Sequence, residues 1–247
     1  ALTAEKGDCS MRAIEQCANY VIRQAADDWS KARRLPVARR EQVRSEQIAI
    51  IEAAILDLDT LCRRAPTCER LNLLGGAYKR LALVETEGER RLEALVNMAH
   101  HYHLSMERKR DAYPFTNALA ADLLAKQRDA TKGLLSPNSL AQEIAALSGE
   151  VARRNADEPS FWDGASLADL ALLQLLLPGA NQSPARNQPE YSPLATVLTA
   201  YREAIERASS ARERSSLKEN IAFLHALWMP RDRKMLQILE QIQESLS

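Results

Sequence analysis

Lys79, Arg80, Trp162 and Asp163 are the side chains of this 247-residue chain best suited to recognising a ligand. They supply two cations, an apolar plate and an acceptor. That set suits an anionic molecule carrying a ring, or a peptide with an acidic residue beside an aromatic one. The bland alternative is that Trp162 is core and that Lys79 and Arg80 pair with Glu85 or other surface acids. The run His100-His101-Tyr102-His103 raises metal binding, since His100 and His103 at i,i+3 share a helix face. Only Glu107 offers a third ligand, so a helix surface is the simpler reading and neither a metal nor a cofactor is expected. His225 stands alone. Asp163 and Asp169 lie near Trp162 with no base, nucleophile or glycine-rich phosphate loop beside them. Cys9, Cys17, Cys62 and Cys68 form no CxxC pair and carry no local nucleophile signature. They read as small buried thiols of a reducing cytosol. Catalysis is not expected.

The bulk properties narrow the classes further. Lys+Arg and Asp+Glu are both 33, and a net charge of zero argues against general nucleic-acid binding, which needs a basic excess. A local basic groove stays open. Hydrophobic residues at 46% and charged residues at 27% allow a packed core. Aromatics at 5% and only 8 glycines, against abundant Ala, Leu, Arg and Glu, favour helix throughout. No apolar run approaches the ~20 residues that span a bilayer, and the N-terminus lacks a signal-peptide pattern. The opening ALTAEKGD reads as a domain boundary, so the chain is expected to be a piece of a larger protein.

The elements that position these residues are organised around Thr67–Leu83, TCERLNLLGGAYKRLAL. Leu71, Leu74 and Tyr78 recur at i, i+3, i+7 and share one helix face. Gly75 lets a partner helix approach closely. Gly76 is a second glycine in the same turn, and each costs on the order of 1 kcal/mol against Ala. Close packing or a ligand against the backbone would offset that. Thr67 is the expected N-cap. Upstream, one helix is expected from Cys9 to about Arg34, capped by Ser10, with the stripe Ile14, Cys17, Ala18, Val21, Ile22, Ala25 and Trp29. Leu35-Pro36 ends it, and a second helix runs from Val37 to about Arg63. Downstream, Glu85–Gly88 is a turn and Glu89 to about Arg108 is the hairpin partner. Its inward face is read as Leu92, Leu95, Val96, Ala99, Tyr102 and Met106. Further helices are expected at Pro114–Gln127, Ser139–Arg153, from Ser160 to Pro178, at Leu194–Ala208 and Arg212–Trp228, and from Pro230 onward. Gly179–Pro193 reads as the longest loop.

Leu71-x2-Leu74-Gly75-x2-Tyr78 has the spacing of the first half of a tetratricopeptide repeat, with Leu71 in the Trp place. TCERLNLLGGAYKRLA, DAYPFTNALAADLL and FWDGASLADLALL, in that order, resemble a divergent tetratricopeptide region. It is found in the central regulatory part of apoptosis-signal-regulating kinases. It also occurs in bacterial tetratricopeptide-repeat sensor-type proteins that accompany protease or other effector domains in stress and conflict systems. The resemblance covers roughly Cys9–Trp228. The chain departs from it in lacking the Trp, in a longer second hairpin helix and in irregular repeat lengths. It implies an all-α, tetratricopeptide-like antiparallel helix-hairpin solenoid of about ten helices. One domain is then expected over 1–247, with an N-terminal helix pair at 9–64, repeats at 67–228 and a capping helix at 230–247.

In such hairpins the first helix lines the concave face. That places Glu69, Asn72, Gly76, Lys79 and Arg80 in the groove, followed by Asn117, Asp122 and Lys126, then by Trp162, Asp163, Ser166 and Asp169. The implied function is a non-catalytic sensor module of the cytoplasm that regulates an attached or partner effector such as a protease or kinase. Its ligand would be a protein segment, or a nucleotide-like molecule with Lys79 or Arg80 on phosphate. The alternatives are a helical enzyme built around Lys79, Arg80, Trp162 and Asp163, and a purely structural oligomerisation scaffold.

Overall fold

The computed structural model describes residues 10–129, 137–177, 192–230 and 232–246, and among them are ten α-helices and no strand. Helix boundaries follow local chemistry. A hydroxyl or carboxylate at the N-cap accepts one of the backbone N–H groups that the first turn leaves unpaired, worth about 1 kcal/mol each. Ser10 does this for α1 (Met11–Ala32) and Thr67 for α3 (Cys68–Val84), as the sequence predicts. Ser160 starts α7 (Phe161–Leu176), and Ser192 starts α8 (Pro193–Glu206). Ser210 and Glu213 form a full capping box on α9 (Ala211–Leu227). Proline sets α2 (Val37–Arg64), which begins after Pro36. It also sits in the first turn of α5 (Ala112–Arg128) and opens α6 (Pro137–Asp157). α4 spans Gly88–Arg108. The last helix, α10 (Arg233–Ser245), starts later than the expected Pro230, because the Asp232 carboxylate caps it through Met235 N–H. The link around Gly133, residues 179–191 of the expected long loop, and Cys9 lie outside the described residues.

The chain divides into two compact units. One lies within Ala1–Arg110 and Ala121–Lys132, the other within Asp111–Ala120 and Gly133–Ser247. In the first, α1 packs on α2 and α3, α2 packs on α3, and α3 packs on α4. Its core holds Ile22, Trp29, Ile51, Leu58, Leu74, Leu95, Met98 and Tyr102. Val96, expected inside, is exposed, and Met98 is fully buried instead. The buried stripe of α4 runs Leu95, Met98, Ala99, Tyr102, and a one-residue step turns Val96 by about 100° away from it.

In the second unit α7 packs on α6 and α8, and α10 packs on α8 and α9. The apolar α7 buries Leu170, Leu172, Leu173 and Leu176. Tyr201 of α8 is fully buried and donates its hydroxyl to Asp169 Oδ1 at 2.6 Å. No helix among the described residues is long and apolar enough to cross a membrane.

Candidate functional site

The contacts between α3 and α4 run in opposite order along the two helices, which makes them an antiparallel hairpin. Cys68 and Ser105 exchange bonds at one end, with Cys68 Sγ 3.8 Å from Ser105 O. Tyr78 stacks on His101 further along, and Arg91 donates to Glu85 O at the turn. Gly75 is what lets the helices meet. A Cβ there would stand 2.6 Å from Tyr102 Cε2, closer than any real methyl sits, and Tyr102 is fully buried. The predicted close approach at Gly75 is therefore a contact with an aromatic ring. At Gly76 a Cβ would meet Arg80 Nη1 at 3.5 Å and Tyr102 Oη at 3.7 Å, which is ordinary contact.

One face of α3 carries Glu69, Asn72, Gly76, Lys79 and Arg80, at helical spacing. Glu69 is exposed, and the other four are half-buried. Arg80 Nη1 folds back to donate to Gly76 O at 3.0 Å. Asn72 Oδ1 is buried and accepts no hydrogen bond from the described residues. Asp122 belongs to the same unit, where its Oδ2 lies 3.0 Å from His103 Nε2.

The remaining predicted residues, Lys126 apart, belong to the second unit. Asn117 is buried and donates to Tyr113 O at 2.9 Å, within its own helix. Asp163 accepts from Arg154 Nη2 at 2.7 Å and from Ser160 Oγ at 3.1 Å, so its carboxylate secures the start of α7. Trp162 is 52% exposed, edge-on to Phe161 with ring centres 4.8 Å apart, and so is not core. Ser166 is half-buried on the same helix, and Lys126 of the first unit is exposed.

The histidines divide their roles. His100 is exposed and meets His101 edge-on at 5.3 Å. His101 lies flat on Tyr78 at 5.4 Å, and burial together with His100 pushes it down to about 4. His103 faces Asp122. Among the described residues no group of three or more His, Cys, Asp or Glu could hold a metal ion.

Sequence reasoning missed two buried charge clusters. Glu15 and Arg70 pair at 2.6 Å, both nearly fully buried, and Arg70 also donates to Ala65 O. A signal was present. Glu15 sits in register with Ala18, Ile22, Ala25 and Trp29, a charge inside an apolar stripe. The second cluster surrounds Glu85, which is 1% exposed at the end of α3. Arg90 Nε lies 3.0 Å from Glu85 Oε1, and Arg44 Nη1 lies 3.7 Å from Oε2. Among the described residues neither carboxylate oxygen accepts a well-formed hydrogen bond. Burial pushes the Glu85 carboxyl up, against the pull of Arg90 and Arg44. Beside it opens a cleft of about 230 Å³ between α2, α3 and α4.

A family model described as Tetratricopeptide Repeats-Sensor matches residues 1–125, which take in α1 to α4 and most of α5. No curated protein and no solved structure matches the chain.

Proposed function

The chain belongs to the Tetratricopeptide Repeats-Sensor family, and from that premise we propose that it recognises a protein segment rather than catalysing a reaction. The recognition surface is the face of α3 formed by Asn72, Gly76, Lys79 and Arg80, with Glu69 at its rim. Occupation of this face regulates an attached or partner effector in stress or defence signalling. The observation that carries the site is Asn72 Oδ1, buried with no donor among the described residues. An amide oxygen left so costs about 1–3 kcal/mol, which a backbone N–H of a bound segment would recover. Gly76, one turn on, adds no side chain of its own, and Lys79 and Arg80, the latter folded onto Gly76 O, supply charge for an acidic residue of the segment. In the second unit, exposed Trp162 with Ser166 is proposed as a separate contact surface.

A peptide array screened with the purified chain, followed by calorimetry on the best binder, tests this. Arg80→Ala is expected to weaken binding by about 1.5–3 kcal/mol, the range of a charged hydrogen bond, with the melting temperature unchanged. Asn72→Ala should weaken it as well. Binding that ignores both substitutions places recognition elsewhere. A bound peptide that leaves the effector's activity unchanged rules out the regulatory role.

A further inference from the structure

The cleft beside Glu85 lies on the other side of α3 from the proposed recognition face. Three carboxylates, Glu52, Glu85 and Glu93, line it against the single guanidinium of Arg90. An acidic cluster alone says little, but this one is built. Glu85 is almost completely buried, and among the described residues both of its oxygens lack a hydrogen bond, although Arg90 and Arg44 stand at ion-pair distance. Arg44 is committed more closely to Glu41, at 2.7 Å. A buried carboxylate with free lone pairs is costly unless donors reach it.

Arg90 shows what kind of donor fits. Its guanidinium spans the carboxylates, with Nε 3.0 Å from Glu85 and Nη2 2.7 Å from Glu52, while its side chain remains 45% exposed. It acts as a tethered occupant that solvent can draw away. Tyr78 adds a phenol against the cleft. Its ring, stacked on His101, forms part of the cleft wall. Ile55 and Leu81 provide apolar wall for a methylene stem. At about 230 Å³ the space is below the roughly 300–1,000 Å³ of drug-sized sites, and suits one extended side chain.

We propose that this cleft binds an alkyl cation, a guanidinium or ammonium on a short methylene stem, which displaces Arg90 from Glu85 and Glu52. The cation comes from an arginine or lysine side chain of a partner or from a free amine. The two sources share one chemistry.

The test is a titration of the purified chain followed by NMR, with three probes: butylguanidinium, its neutral isostere butylurea, and the peptide acetyl-Gly-Arg-Gly-amide. Butylguanidinium at about 10 mM should shift the Tyr78 and Asn97 resonances, and butylurea should not. Glu93 is exposed and lines the cleft, so Glu93→Gln leaves the fold intact and should weaken the cation about 5- to 10-fold through the loss of one of the cleft's three negative charges. Arg90→Ala removes the internal competitor and should tighten binding several-fold. Tighter binding of the peptide than of butylguanidinium identifies a protein source; the reverse identifies a free amine. Equal binding of butylurea overturns the proposal, as does an unchanged affinity in Glu93→Gln or an absence of shifts at Tyr78 and Asn97. Arg80→Ala should leave the cation's affinity untouched, so failure here is separable from failure of the α3 recognition face.

Discussion

The two ends of α3 each bury a glutamate among arginines, and they do it in opposite ways. At the N-terminal end Arg70 meets Glu15 at 2.6 Å and spends further donors on Ala65 O and, at 3.7 Å, on Met11 Sδ. That cluster is closed and ties α1 to α3. At the C-terminal end Glu85 is more deeply buried, yet among the described residues its oxygens hold ion-pair contacts without hydrogen bonds, and a cleft opens beside them. Buried charge is therefore a poor marker of function by itself. What separates a brace from a site is whether the charge is satisfied from within.

The largest test of that contrast is Arg70→Ala. It strands Glu15 in the core and should cost about 3–5 kcal/mol in urea unfolding. Replacing the pair together, Glu15→Leu with Arg70→Met, should recover most of the loss, because a closed brace can be exchanged for apolar packing of similar volume. If the double variant is as unstable as Arg70→Ala, the pair does more than brace.

Next in size is a pH effect midway along the hairpin. His101 titrates near 6.5 unfolded and about 4 folded, so the native state binds fewer protons between those values. Its contribution is fully present above about 6.5 and is lost as pH falls toward 4, by no more than about 3 kcal/mol. His101→Phe keeps a ring for Tyr78 and should flatten the stability curve over that window. An unchanged slope would mean that another group carries it.

The adjacent glycines divide α3 in the other direction, between its packed and open faces. Gly75→Ala drives a methyl into the Tyr102 ring and should cost about 1–3 kcal/mol. Gly76→Ala meets only ordinary contacts and should be neutral or raise stability by up to about 1 kcal/mol. Equal losses at both positions would remove Gly76 from the recognition face.

The smallest effect is expected at Glu85. Its folded pKa is raised, so its stabilisation is fully present below the unfolded value near 4.5 and is lost as pH rises through the folded one. Glu85→Gln should therefore be neutral or slightly stabilising at pH 7, where Glu15→Gln destabilises. His101 has the opposite slope, so the comparison is made in the His101→Phe background. A destabilised Glu85→Gln at pH 7 would make the second cluster a brace like the first.

The sequence by itself determined the helices. Ser10, Thr67 and the prolines mark starts, and 3.6-residue stripes mark buried faces, because caps and periodicity act over one or two turns of chain. It determined the hairpin of α3 and α4 too, since Leu71, Leu74, Gly75 and Tyr78 fall on one face and Gly75 has no side chain to keep a neighbour away. It also placed Glu69, Asn72, Gly76, Lys79 and Arg80 together, because a single helix fixes their spacing. Only the tertiary structure decided which ring Gly75 admits, that Arg70 reaches back to Glu15 across 55 residues, and that Glu52 of α2 and Arg90 of α4 converge on Glu85. Those pairings join helices far apart in the chain. A long flexible side chain can seek many partners, so its choice is set by packing and by the exclusion of water from the space between helices, neither of which is written in local order.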